Sequence, residues 1–167
     1  MVSKIKYVRV QKLDWMRNTL IEASDFDMEA ISNQEEFGFF LLEEEGITEL
    51  TAFCHTALAR NEAPFYSTVI LPTETDKVLL LYFKGRTAVI AFQEENTAIL
   101  SVLLAMNQVL APDYEIRYWR KHPPSSYPMF FPLKMDEWEC LETQYGTETI
   151  DDLFEHLNEH TRIRFLE

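Results

Sequence analysis

Apolar and polar positions change period several times along this chain, and the densest apolar material lies between Lys77 and Lys121. Two apolar runs, Lys77–Phe83 and Arg86–Phe92, flank Lys84-Gly85, and a third, Phe65–Leu71, precedes them across Pro72–Asp76. Connections this short join antiparallel neighbours, so the runs predict a meander around 66–92. The middle run, Val78–Phe83, is apolar on both faces, the pattern of a central strand covered on both sides. Next, Ile99, Leu103, Met106 and Leu110 form one helical row, widened by Leu100, Val102, Leu104 and Val109. This predicts a buried helix over 97–110, capped by Asn96 or Thr97 and ended near Ala111-Pro112. Tyr114, Ile116 and Tyr118 then alternate with Glu115, Arg117 and Trp119, which predicts a strand with one face exposed.

Weaker patterns flank this unit. Residues 4–10 alternate with a slip at Tyr7-Val8, expected as a strand that either carries a bulge or is apolar on both faces there. Asp14–Glu22 and Met28–Ile31 have helical spacing, and Phe37–Leu42 is a short apolar run expected as a buried strand. Ile47–Arg60 carries Ile47, Leu50, Cys54 and Leu58 on one helical stripe. His122–Pro132 contains four prolines and is expected to be irregular. Met135–Tyr145 is a helix stopped by Gly146. Thr149 and Asp152 resemble a capping box for another helix, with Ile150, Leu153, Phe154 and Leu157 on its buried face. Thr161–Leu166 is expected to close the chain as a strand. The sum is an α+β fold, with a mainly antiparallel β-sheet, a buried helix and outer acidic helices, in a single domain over 1–167.

Charge narrows the function classes. With 28 acidic and 15 basic residues the net charge is −13, which disfavours nucleic acid and anionic membrane surfaces. Neither Asn18–Ala59 nor Met135–Thr161 contains a Lys or Arg, so the acids fall in two blocks suited to meeting a basic partner protein. Glu43, Glu44 and Glu45 also complement the positive end of the helix they precede. Two cysteines, an N-terminus with no apolar leader and no apolar run near 20 residues point to a soluble, cytoplasmic protein.

Chemical motifs are sparse. His156-Leu157-Asn158-Glu159-His160 matches H-x-x-E-H, and two histidines four apart on a helix can share an ion. The third ligand that zinc requires is not evident, so no metal is expected, with His156 and His160 as the alternative. Cys54 and His55 point ~100° apart on a helix and cannot pair, so a catalytic Cys54 needs another histidine, such as His122. Four isolated glycines exclude the phosphate-cradling loops, and no G-x-S-x-G elbow is present. No catalytic residue and no cofactor are assigned.

The expectation is a non-enzymatic interaction protein that binds, and can inhibit, another protein, comparable with immunity or antitoxin-like inhibitors in size and charge only. Its candidate contacts are Arg117, Trp119 and Lys121 on the strand's polar face. To these are added Tyr127, Phe130 and Phe131 in the proline-rich segment, and Glu43, Glu44 and Glu45. The alternative is a small-molecule-binding protein or hydrolase with a pocket near residues 122–132.

Overall fold

The computed structural model describes residues 11–32, 37–41, 46–59, 65–70, 76–122 and 127–163. Helices are α1 (residues 11–21, ending in a π turn over Arg17–Ile21), α2 (Met28–Ser32), α3 (Ile47–Ala59), α4 (Glu95–Leu110), α5 (Met135–Tyr145) and α6 (Thr147–Leu153). Strands are β1 (Phe39–Phe40), β2 (Phe65–Ile70), β3 (Lys77–Phe83), β4 (Arg86–Phe92), β5 (Tyr114–Trp119), β6 (Met129–Lys134) and β7 (Phe154–His156). The fold is α+β, with two antiparallel sheets ordered β1-β6-β5-β7 and β2-β3-β4.

The meander forms as its spacing requires. Lys84 and Gly85 both take positive φ, 47° and 83°, the two-residue turn whose twist matches the flanking strands. Arg86 then ties the hairpin to α4, its Nε donating to Val109 O at 2.6 Å and its Nη2 to Leu110 O at 3.3 Å. A cation at these last carbonyls also opposes the helix macrodipole. Helix α4 starts at Glu95, ahead of the expected Asn96 or Thr97 cap.

Two cores share the four-stranded sheet as their wall. The first lies between that sheet and the meander: Leu79, Leu81 and Phe83 of β3, Leu50, Cys54 and Leu58 of α3, and Leu103 and Met106 of α4 meet Ile116, Tyr118 and Phe130. The second lies on the sheet's other side, where Met16, Leu20 and Ile31 join Trp119, Phe131, Trp138, Ile150 and Phe154. The layers therefore run meander, α3 with α4, four-stranded sheet, and α1, α2, α5 and α6.

Several elements differ from the sequence expectation. The second face of β5 is covered, α5 and α6 packing over Glu115 and Arg117 and Phe26, between α1 and α2, packing on Trp119. Residues 129–134 form strand β6 despite Pro132. Pro132 sits opposite Ile116, whose N–H and C=O both bond the Asn107 side chain, at 2.6 and 2.9 Å, so β5 asks for no donor from the proline. The helix expected through Leu157 stops at Leu153, and Phe154–His156 pairs with β5. Free hydrogen-bonding groups on the β5 edge outweigh local helical spacing there. Strand β3 is covered on one face only, since its outward residues Val78, Leu80 and Tyr82 remain partly or largely exposed. Phe37–Leu42 yields only the two-residue β1. Gly38 lets this segment approach β6, since a Cβ there would lie 2.8 Å from the Phe131 ring and 2.9 Å from Phe130 O. The strand expected over 4–10 lies outside the described residues, and 161–163 are not a strand.

Candidate functional site

The most concentrated set of charged side chains is built on the second face of β5. Alternation along β5 sends Glu115 and Arg117 towards α5 and α6, and only 3% of Arg117 stays exposed. Its Nε donates to Glu115 Oε2 at 2.8 Å and its Nη2 to Glu142 Oε1 at 2.8 Å, while Nη1 lies 3.5 Å from Asp151 Oδ1. Trp138 lies beneath the guanidinium, with its ring centroid 4.3 Å away. Three carboxylates around one cation leave an excess of negative charge, and His156 sits at its rim. The ring's Nδ1 is 2.6 Å from Glu115 Oε1 and its Nε2 is 3.1 Å from Asp151 Oδ1, so the imidazole bridges the two carboxylates.

Ligand atoms of Glu142, Asp151 and His156 lie within 4.8 Å of one another, close enough to hold a cation. Glu142 and Asp151 already face Arg117, however, so an ion would share their oxygens with a fixed guanidinium. The planar fork instead suits a structural clamp joining β5, α5, α6 and β7, a role lysine cannot fill. His156 and His160, the alternative to the expected absence of a metal, do not share a helix: His156 ends β7 and His160 lies in the turn beyond it.

A second buried pair, Lys12 Nζ to Glu137 Oε2 at 2.6 Å, anchors α1 to the start of α5. Glu137 Oε2 also accepts the Lys134 N–H at 2.9 Å. These internal pairs leave the outer helical layer with acids at its surface. Glu22, Asp25, Asp27 and Glu29 are exposed on and between α1 and α2, and Asp136, Glu139, Glu148 and Asp152 on α5 and α6. Arg17 donates to Asp14 at 2.9 Å and Gln144 at 2.9 Å, and Tyr145 donates to Glu22, which ties the two acidic segments together. Burial and the Glu22 carboxylate hold the Tyr145 phenol above its ordinary range. Arg120 and Lys121 pair within the layer, with Glu155 at 3.6 Å and Asp152 at 3.3 Å.

The expected contact residues divide sharply. Arg117, Trp119, Phe130 and Phe131 are buried, because the helical layer and β1 cover the face and segment that looked open in sequence. Lys121 and Tyr127 are exposed. Glu43, Glu44 and Glu45 lie outside the described residues. Cys54 is fully buried in the first core, and burial pushes its thiol far up, which removes thiolate character. His122 is buried and within 2.6 Å of the Tyr118 hydroxyl, so it is engaged in the wall of the core. A shallow open depression of about 370 Å³ is lined by Ile90–Glu94, Ala98 and Ser101, none of them from 122–132. No described helix is long and apolar enough to cross a membrane.

Sequence reasoning missed Asn107 as the partner of the β5 edge and Lys12 as the partner of Glu137. An amide within an apolar helix was the available sign of the first. The second pairs residues 125 positions apart and leaves no local sign. Comparison with protein-family models, curated proteins and solved structures found no match.

Proposed function

We infer that this chain is a non-enzymatic interaction protein whose acidic helical layer, α1, α2, α5 and α6, meets a basic surface on another protein and inhibits it by covering it. The observation that carries this reading is the packing of the acids of Glu22–Glu29 and those of α5 and α6 on one side of the four-stranded sheet, bonded to each other through Arg17–Gln144 and Tyr145–Glu22. Segments separated by more than 100 residues thus add their fields, and complementary potentials raise association rates. Two free cysteines suit a reducing, cytoplasmic setting.

The test compares proteins captured from native extract by the wild type and by a Glu139→Lys/Glu148→Lys/Asp152→Lys variant. A specific partner should be lost by the variant, and its association rate should fall as salt rises. A partner held equally by both, or one whose association ignores salt, would sink the reading.

A further inference from the structure

Solvated faces of antiparallel sheets normally carry polar residues at alternate positions. The outer face of the meander does not. Registers Tyr66↔Tyr82↔Thr87, Thr68↔Leu80↔Val89 and Ile70↔Val78↔Ala91 place nine outward positions in three rows, and none is an acid, lysine, arginine or histidine. Val89 is 67% exposed, Tyr66 57%, Ile70 45% and Tyr82 43%, an apolar surface of the kind that marks an interface.

We propose that a second copy of this chain covers this face, the two meanders packing sheet on sheet about a two-fold axis. In such an interface the same patch meets itself, so a patch that carries charge meets like charge. This one carries none. The chain has a net charge of −13, yet β2, β3, β4 and the Lys84-Gly85 turn contain Lys77, Lys84 and Arg86 and no acid. Two copies approaching by this face therefore set no like charges in contact across it, with Asp76 and Glu94 beyond the strand ends, whereas the opposite side brings acidic layer against acidic layer.

Size sets the strength. Strands rising ~3.3 Å per residue and spaced ~4.8 Å apart give a footprint of roughly 20 by 14 Å. Side chains standing up from it bring the buried area to the order of 800 Å² for the pair, below standard interfaces, so the dimer is weak and concentration-dependent. It presents one acidic layer at each end, which makes the dimer bivalent towards the basic partner inferred above. The dimer itself rests on a separate surface and does not require that partner.

Sedimentation of the full chain from about 1 μM to about 1 mM should show the 19.7 kDa species shifting to twice its mass. Val89→Glu, at a position exposed enough to leave folding intact by circular dichroism, should weaken dimerisation on the order of 100-fold, because the axis brings in each charge twice. Glu139→Lys/Glu148→Lys should still dimerise, and added salt should strengthen the dimer by screening repulsion. Salt has the opposite sign for the acidic-layer partner, so the two ideas fail separately. A monomer up to about 1 mM would overturn the proposal, leaving the face to a different protein. So would a dimer insensitive to Val89→Glu, or open-ended polymers.

Discussion

Replacing Lys12 by Met tests whether the outer helical layer is held by its buried ion pair. The two side chains are 4% and 1% exposed and 2.6 Å apart, so Lys12→Met leaves the Glu137 carboxylate buried without its cation. Breaking such a pair from one side costs about 3–5 kcal/mol. Glu137 keeps the Lys134 N–H at 2.9 Å, which places the expected loss at the lower end. About 3 kcal/mol lowers Tm by roughly 6–12 °C in a chain of this length. Glu137→Gln alone should also destabilise, since it takes the carboxylate from a buried ammonium 2.6 Å away. The double variant Lys12→Met/Glu137→Gln removes both charges of this pair, and its amide oxygen can still accept the Lys134 N–H. It should recover to within about 1–2 kcal/mol of the wild type, because neutral replacement of a buried pair is close to neutral in stability. Urea unfolding of the four proteins, followed by circular dichroism and tryptophan fluorescence, gives the coupling directly. Additive single effects, or a Lys12→Met loss under about 1 kcal/mol, would show that water reaches the pair and that the reasoning is wrong.

Arg117→Lys should cost about 2 kcal/mol or more, because one ammonium cannot reach Glu115, Glu142 and Asp151 together; wild-type urea stability in the variant would refute the clamp. Asp113 accepts from Lys84 at 2.7 Å and Arg86 at 2.5 Å, and these bonds, Lys84 first, hold its carboxyl below the usual range. A depressed folded value gives stability that is present above the unfolded pKa and lost as pH falls through the folded one. Asp113→Asn should therefore be less stable than the wild type near neutrality, with the gap closing below about pH 4 in thermal melts; a gap unchanged at low pH contradicts the assignment. Cys140 is exposed and Cys54 buried, so a thiol reagent should label one cysteine in the native protein and two in denaturant; two labelled natively would mean the first core opens. Gly38→Ala should destabilise by about 1–3 kcal/mol in urea titration, because the neighbours of its Cβ include the Phe130 carbonyl, which cannot turn aside.

Local chemistry made much of this fold legible. Lys84-Gly85 needed only the positive φ of a tight turn, and the bounds of α5 followed from Met135–Tyr145 and Gly146. The stripe Ile47, Leu50, Cys54 and Leu58 is buried as its spacing demands. What period alone cannot state is which element lies opposite a face. Glu115, Arg117 and Trp119 alternate as an exposed strand face does, and they are covered because α5 and α6 fold back across Glu115 and Arg117 while Phe26 packs on Trp119. Phe154–His156 has helical spacing but becomes a strand because β5 has an edge to pair, and Pro132 enters β6 because Asn107 meets the Ile116 backbone opposite it. The two apolar faces of β3 look alike in sequence, yet α3 and α4 cover one and leave the other open. Turn geometry, the bounds of α5 and charge balance act over a few residues or over the whole composition, so the sequence by itself determined them. Burial and pairing depend on elements tens of residues away, and only the tertiary structure decided that Arg117 is clamped inside while Val89 faces out.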